Sequence, residues 1–391
     1  MAEALVTPEV LTWARERAGL STAALAERLG VEEGRVIAWE TAAERPTFGQ
    51  AEQLARTTHV PFGAFFLPSP PDDDLPLPDL RAGGAHRSPA LDAAFKDALG
   101  DVFYKFDWYR EYRRQEGADP LPFVGRYSTR TEAAVVAEDM ARVLGLTPEV
   151  RAASRGAEEF LRRLIGLAEG AGIWVLRNGV VGGNTHRPLD VGVFRGFAIA
   201  DPVLPTIFLN GRDAYAGQIF TLAHELAHLW IGQSGISDPL AVPSGRAGAA
   251  RVEACCNRVA ADLLAPRQDV QALWVADLSL DRNAEILARH FRVSAMVIGI
   301  RARDMGLVDR DTFERFRDAE LQRWRRLRES AEGGGGDYYV TARSRNGGRF
   351  MRAVVAQAMS GHLLLRDAAS LLNMTPKTLR VAHARMGEGR L

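Results

Sequence analysis

The ten-residue run at positions 221–230, TLAHELAHLW, limits the fold of this chain more than any other feature. His224 and His228 are four residues apart, so on a helix they lie one above the other on the same face, where both imidazoles can reach one metal ion. Glu225 is turned around the helix, so its carboxylate can face a water molecule on that metal. Two histidine ligands beside a glutamate base are typical of zinc-dependent peptidases.

A third ligand is needed to complete such a site. The five-residue pattern occurs by chance in about one chain of this composition in a hundred, and a catalytic zinc usually has three protein ligands. Residues 251–266 have helical periodicity and end at a proline, and Glu253 and Asn257 share one face of that helix. We predict Glu253 as the third ligand, with Asn257 as a candidate to orient a ligand. The alternative is an exposed glutamate that the helix dipole stabilises.

These residue types predict a mechanism for peptide hydrolysis. A divalent ion lowers the pKa of its bound water to about 7, and Glu225 takes the proton as the water attacks a peptide carbonyl. Zinc is the first expectation, although manganese or iron would also suit two histidines and a carboxylate. His290, in the run ARHFRVS at 288–294, could stabilise the transition state, but a lone histidine is more often a surface or capping residue.

Composition indicates an ordinary globular protein. The 391 residues suffice for two or three domains, and 47% of them are hydrophobic and 25% charged. No apolar run approaches the roughly 18 residues of a membrane helix and no signal peptide is evident, so we expect no membrane association. The two cysteines, Cys255 and Cys256, are adjacent, which predicts a reducing, cytoplasmic setting. We favour buried thiols over a thiolate ligand there.

Changes in composition divide the chain into five parts. Helix-turn-helix patterns fill 1–67, and the stretch 68–89, rich in Pro, Asp and Gly, is typical of a linker. Residues 90–332 form the large central domain, which carries the metal-site residues. Four glycines at 333–336 predict a hinge, and 337–391 form a small, basic, helical module.

The predicted fold class is mainly α with a small β-sheet (α+β). In the central domain, amphipathic helices precede a strand-rich stretch, and the metal-site helices follow. The helices are expected near 91–116, 131–145 and 155–171, and the strands near 173–176, 196–201 and 206–210.

Residues 20–40 have the organisation of a helix-turn-helix. Ser21 can cap the first helix, Gly30 permits the turn, and Val36 and Trp39 anchor the second helix.

The charge of this N-terminal module argues against strong DNA binding. Residues 1–70 contain six arginines, no lysine and nine glutamates, which gives a net charge of −3. The second helix starts at Glu32 and Glu33, which would repel phosphates, and leaves Arg35 as the candidate DNA contact. A structural or partner-binding role is the alternative.

The C-terminal module has the opposite charge. Residues 337–391 contain nine lysines or arginines and three acidic residues, a net charge of +6. The run 368–379 is typical of a second helix-turn-helix with a Thr-Pro helix start. Lys377 and Arg380 are the candidate contacts with double-stranded DNA. The alternative is a solvated appendage that packs on the central domain.

Taken together, these motifs resemble those of an ImmA/IrrE-family metallopeptidase that carries an N-terminal XRE (Cro/C1-type) helix-turn-helix domain. The resemblance rests on GLS, LAERLGV and AWE within 19–40, LPDLR at 77–81, FRGFA at 194–198, PTIFLN at 205–210, FTLAHELAH at 220–228, Glu253, Asn257 and Ala260 with LLAP at 263–266, and FRVS at 291–294. It implies a zincin-like domain in which His224, His228 and Glu253 bind the metal and Glu225 is the base. It also implies a small sheet whose edge can accept an extended peptide as an extra strand.

The activity that the resemblance implies is limited proteolysis of a protein partner. That partner would be an XRE-type repressor or an antitoxin-like protein, and its cleavage would release genes for stress response or mobile-element transfer. One alternative is a DNA-binding regulator whose peptidase domain serves as a sensor or dimerisation unit. Another is an antitoxin-like protein that sequesters the product of a neighbouring gene. Self-association into a homodimer stays open.

Overall fold

The computed structural model forms two compact units. The first comprises Met1–Pro76 and Ala90–Leu99, and the second comprises Leu77–Pro89 and Gly100–Leu391. The residues that the structure describes are 2–80, 91–237, 247–329 and 337–387. The predicted glycine hinge at 333–336 lies outside these residues, as do positions 81–89 of the predicted linker. The domain boundaries drawn from the sequence stay predictions.

The first unit is a bundle of short helices. They are α1 (Pro8–Arg17), α2 (Thr22–Leu29), α3 (Glu33–Glu40), α4 (Phe48–Thr58) and a 3-10 helix (Phe62–Phe66). Ser21 Oγ accepts a hydrogen bond from Ala24 N at 3.1 Å, and Gly30 ends α2 with a left-handed φ of 67°. Val36 and Trp39 are buried. The predicted cap, turn and anchors of the helix-turn-helix are therefore confirmed.

The second unit is mainly helical. Helix α5 (Ala93–Gln115) begins in the first unit and continues into the second. The further helices are α6 (Ala133–Leu144), α7 (Pro148–Ala152), α8 (Ala157–Gly170), α9 (Tyr215–Ile231), α10 (Ala247–Leu264), α11 (Arg267–Leu273), α12 (Leu280–Phe291), α13 (Ala295–Asp304), α14 (Arg310–Glu329), α15 (Tyr338–Asn346), α16 (Gly348–Met359), α17 (Leu365–Leu371) and α18 (Pro376–Gly387). Within the described ranges, no helix is both long and apolar enough to cross a membrane.

The strands of this unit form two small sheets. They are β1 (Trp174–Asn178), β2 (Val180–Val181), β3 (Asn184–Pro188), β4 (Gly196–Ile199), β5 (Thr206–Asn210) and β6 (Gly235–Ser237). The four-stranded sheet has the order β1-β5-β4-β6, with β1 parallel to β5 and the other neighbours antiparallel. β2 and β3 pair separately as an antiparallel hairpin. A small mixed sheet among many helices confirms the predicted α+β class.

Other parts of the same unit cover both edges of the four-stranded sheet. At β6, Ile236 N donates to Pro78 O and Leu80 N donates to Ile236 O, each at 3.0 Å. At β1, helix α15 packs against the strand, and Ser344 Oγ donates to Arg177 O at 3.5 Å. An uncovered edge exposes a row of unpaired backbone groups. These contacts therefore prevent the sheet edges from pairing with strands of other chains.

Helix α9 lies at the centre of the unit. Every residue from Gln218 to Ile231 is buried, and α6, α8 and α10 pack against the helix. A helix can be buried on all sides only if neighbouring elements cover its whole circumference. This position encloses the histidine motif of 224–228 in the core.

A buried carboxylate anchors the C-terminal end of α9. Trp230 Nε1 donates to Asp139 Oδ2 at 3.0 Å, and Arg126 Nη1 donates to Asp139 Oδ1 at 3.0 Å. The Phe123 ring stacks on Trp230 with 4.3 Å between the centroids. Burial alone would raise the pKa of Asp139, but hydrogen bonds from Trp230, Arg142 and Arg126 outweigh burial and lower that pKa. The carboxylate is therefore ionised at neutral pH and accepts all three donors.

We expect Asp139→Ala to destabilise the second unit by about 2–3 kcal/mol, because the buried Trp230 indole N–H and the arginines lose their acceptor. Urea unfolding followed by tryptophan fluorescence measures this change. Glu138→Ala, at the exposed neighbouring position of α6, is the matched control and should stay within about 0.5 kcal/mol of the native chain. Equal effects of the two substitutions would contradict the anchoring role.

Candidate metal centre

Two helices bring three potential metal ligands together in the core. His224 and His228 come from successive turns of α9, and their Nε2 atoms are 3.0 Å apart. Glu253 comes from α10, which packs against α9. Its Oε2 lies 3.3 Å from His224 Nε2, and its Oε1 lies 3.1 Å from His228 Nε2. All three side chains are buried, and their potential ligand atoms lie within 4.8 Å of one another.

Asn257 forms a hydrogen bond with one ring nitrogen of His224. Its Oδ1 lies 2.9 Å from His224 Nδ1. An amide oxygen can only accept a hydrogen bond, so in the neutral imidazole Nδ1 carries the proton and the lone pair is on Nε2. A metal-binding histidine commonly donates its other ring N–H to an oxygen in this way. Glu253 and Asn257 are one turn apart on α10. This spacing places the Glu253 carboxylate beside both histidine Nε2 atoms and the Asn257 amide beside Nδ1 of His224.

The chemistry of this donor set fits a divalent cation. Two imidazole nitrogens and a carboxylate are the usual protein ligands of a catalytic zinc. Both carboxylate oxygens of Glu225 are buried and have no hydrogen-bond partner among the described residues, although the Ser237 hydroxyl lies nearby. A buried polar group without a partner costs about 1–3 kcal/mol, and more when it is charged. A cation among these groups would offset that cost.

The pKa values of the two carboxyl groups in the cluster are shifted in opposite directions. Burial, and next the negative charge of Glu253, raise the pKa of Glu225 well above its usual range. Burial also acts to raise the pKa of Glu253, but the interactions with His224 and His228 outweigh it and lower that pKa to about 2. Burial lowers the pKa of His228. Glu253 is therefore the ionised partner of the histidines, and Glu225 is the carboxyl group that holds a proton most readily.

The sheet forms one wall of the cluster. A Cβ atom at Gly196 of β4 would lie 3.1 Å from Glu225 Oε1 and 2.7 Å from Thr221 Cγ2. Any larger residue at this position would therefore crowd the Glu225 carboxylate. Ser237 of β6 pairs with Gly196, and its Oγ lies 3.2 Å from His228 Nε2. Sequence reasoning missed Ser237, because a three-residue strand shows no periodicity. Gly196 was predicted only as the start of the strand 196–201 and as part of the FRGFA run, with no role in the site.

Two arginines hold the C-terminal end of the helix that carries Glu253. Arg151 donates to Phe291 O at 2.9 Å and also to Leu264 O, so it joins the ends of α12 and α10. Arg301 Nε donates to Ala265 O at 3.0 Å, and its Nη2 lies 2.5 Å from Asp262 Oδ1. Cationic side chains at the last carbonyls of a helix interact favourably with its dipole.

The adjacent cysteines are buried thiols. Cys255 and Cys256 are both free and buried. Burial, and next the charge of Glu253, raise the pKa of Cys256 well above its usual range. The protonated form is therefore favoured, which supports the interpretation of these residues as small buried side chains.

The other candidate residues lie at the surface. His290 is exposed near the end of α12, where its ring meets Phe291 edge-on with 4.8 Å between the centroids. Arg35 of α3 lies 3.4 Å from Glu44. Lys377 and Arg380 are exposed on α18. The roles of these residues, and those of the ligands and the base, stay predictions.

A mainly helical fold with a small sheet, a buried His-His-Glu cluster and an N-terminal helix-turn-helix bundle is the arrangement expected of a metallopeptidase combined with a DNA-binding type of domain. Residues 168–303 match the IrrE N-terminal-like domain of the peptidase M78 family, and residues 9–63 match a helix-turn-helix domain. The match to the peptidase M78 family agrees with the predicted resemblance to ImmA/IrrE metallopeptidases. The two matches support a regulatory metallopeptidase or a DNA-binding role.

Residues 346–385 match a domain of unknown function, DUF8813. A comparison with curated proteins finds no match to this chain.

We expect Asn257→Ala to weaken divalent-metal binding by about 10–100-fold, because His224 loses the acceptor that orients its ring. Competition with a chromogenic zinc chelator measures the affinity of the full chain. Arg258→Ala, which removes an exposed side chain at the next position of α10, is the control and should leave the affinity unchanged. Unchanged affinity in Asn257→Ala would show that the amide does not position the ligand.

Proposed function

We propose that this chain is a metal-dependent endopeptidase that acts in transcriptional regulation by limited cleavage of a repressor or an antitoxin-like protein. The observation that carries the proposal is the convergence of His224 Nε2, His228 Nε2 and the Glu253 carboxylate in the core. Glu225 lies beside them with both oxygens buried and with the Ser237 hydroxyl nearby. The helix-turn-helix match at residues 9–63 supports the regulatory setting.

In this proposal each residue of the cluster has one role. His224, His228 and Glu253 would hold a divalent ion, for which zinc is the first candidate given these ligands. When bound, the ion would acidify a water molecule and polarise the substrate carbonyl as a Lewis acid. Glu225 takes the proton of the attacking water as the new C–O bond forms. It then delivers that proton to the amide nitrogen as the C–N bond breaks.

The raised pKa of Glu225 suits this proton transfer. A general base works best when its pKa lies closer to the working pH than that of an exposed carboxylate. Burial supplies the upward shift, and a cation beside Glu253 would act in the opposite direction. Gly196 leaves space for the carboxylate, and Asn257 keeps the His224 lone pair directed at the ion.

We further propose that the substrate backbone pairs with β6. This strand lies beside the cluster, because Ser237 contacts His228, and an extended peptide can join a sheet edge as an additional strand. Residues 78–80 already pair with that edge through two backbone hydrogen bonds. Substrate binding at β6 therefore requires that this segment leaves the strand.

A second candidate function is a DNA-binding regulator whose metallopeptidase domain serves as a sensor or dimerisation unit. The helix-turn-helix match favours it as much as it favours a regulatory peptidase. The two differ in whether Glu225 is needed for regulation. The cytoplasmic location and a homodimer stay predictions.

We expect Glu225→Gln to reduce partner cleavage by at least about 100-fold, because the amide cannot accept the proton, while the bound metal stays at one equivalent. Co-expression with repressor-type proteins from neighbouring genes, followed by mass spectrometry of the products, measures cleavage. Glu253→Gln is the matched comparison, since it should lose the metal as well. If Glu225→Gln cleaves at the native rate, Glu225 is not the base. If the native metal-loaded chain produces no fragment, the regulator without proteolysis is favoured.

We expect Leu80→Pro to accelerate cleavage about fivefold, because proline cannot donate to Ile236 O and the lost bond is worth about 1 kcal/mol. Hydrogen exchange at the Ile236 amide should also become faster, since its partner is Pro78 O. Leu75→Pro, in the same segment but outside the pairing with β6, is the control. Faster exchange without faster cleavage would show that the substrate does not need this edge.

A further inference from the structure

The C-terminal helices α16, α17 and α18 form a three-helix unit of their own. Each of the three packs against the other two. Buried apolar side chains on these helices include Val354, Leu371, Leu379 and Ala382. Three short helices around one small core are the frame of a helix-turn-helix domain. Residues 346–385 match a domain of unknown function, so this frame has no assigned role.

The connection between α17 and α18 has the geometry of such a motif. Helix α17 ends at Leu371, and Asn373 turns the chain with a left-handed φ of 51°. Thr375 Oγ1 then accepts a hydrogen bond from Thr378 N at 3.2 Å, and Pro376 begins α18. A capping threonine and a proline in the first helical position start a helix sharply. α18 therefore takes the place of a recognition helix.

The outer face of α18 presents free cations. Leu379 and Ala382 are buried against the other two helices, whereas Lys377 and Arg380, three residues apart, are exposed. Among the contacts of the described residues, neither cation has a hydrogen bond or an ion pair. Side chains near the start of a recognition helix are the ones that reach the bases and phosphates of the major groove.

The N-terminal helix-turn-helix lacks such a face. Its α3 starts with Glu33, which accepts a hydrogen bond from Thr22 Oγ1 at 2.5 Å, and Arg35 lies 3.4 Å from Glu44. Residues 1–70 have a net charge of −3, whereas residues 337–391 have a net charge of +6. Phosphate contacts supply much of the affinity for DNA. The two modules therefore differ in positive charge, the property on which DNA binding depends most.

We propose that the C-terminal module binds double-stranded DNA, with α18 in the major groove and with Lys377 and Arg380 in contact with phosphates or base edges. The same face could instead serve a protein, but an uncompensated positive charge on a recognition helix fits the phosphate backbone better than it fits a typical protein surface. The proposal does not depend on proteolysis, because no residue of the metal cluster takes part in it.

The test uses the full chain and two fluorescent duplexes of equal length, one with the sequence upstream of its own gene and one of random sequence. Fluorescence anisotropy gives the dissociation constant between about 50 mM and about 200 mM salt. We expect the double variant Lys377→Ala, Arg380→Ala to bind at least about tenfold more weakly at low salt. The slope of log K against log salt should become less steep by about two units.

Two further double variants test whether the loss of affinity is due to the lost charge and whether it is specific to the C-terminal module. Lys377→Arg with Arg380→Lys keeps both charges and should retain most of the affinity. Arg28→Ala with Arg35→Ala removes two charges from exposed helix positions in the first unit and should change binding little. The proposal is overturned if the native chain binds neither duplex, or if only the N-terminal pair of substitutions weakens binding. It is also overturned if the C-terminal pair abolishes capture of a protein partner while DNA affinity is unchanged.

Discussion

The burial of polar side chains in the middle of helix α9 is the constraint on which the rest of the second unit depends. His224, Glu225 and His228 are all fully buried, on a helix that is enclosed from Gln218 to Ile231. Each polar group in such a place needs a partner, since one without a partner costs about 1–3 kcal/mol. Asn257 and Glu253 on α10 are partners for the two histidines. A bound cation would be a partner for the remaining polar groups, so metal binding and the stability of the fold are expected to be linked.

The same burial determines the reactivity of the cluster. It raises the pKa of Glu225, while contacts with the histidines hold the pKa of Glu253 near 2. Two chemically identical side chains thus acquire different protonation behaviour from their surroundings alone. The anchoring of α9 at Asp139 and of α10 at Arg151 keeps these distances fixed.

Local sequence signals predicted the helices and strands well, because residues at the ends of these elements favour their beginning or ending there. The predicted helix 131–145 is observed as Ala133–Leu144, and Gly145 closes it in the left-handed conformation that glycine favours. The predicted strand 206–210 is observed as Thr206–Asn210. The sequence pattern also placed Glu253 and Asn257 on one face of a helix. What it could not provide was β6 and the wall around Glu225, since these depend on pairing between residues that are distant along the chain, such as Gly196 and Ser237.

The two interpretations of the C-terminal module, packing appendage and DNA-binding unit, involve different residues of it. On the inner face, Trp174 Nε1 donates to Asn346 O at 2.7 Å, and the Phe350 ring lies 4.9 Å from the Trp174 ring. Asn373 in the turn donates to Asp101 of α5 at 3.0 Å. Removing the module would therefore expose aromatic surface and a sheet edge. Among the contacts of the described residues, Lys377 and Arg380 of α18 take no part in this packing, so both cations are available to a ligand while the module stays fixed on the four-stranded sheet.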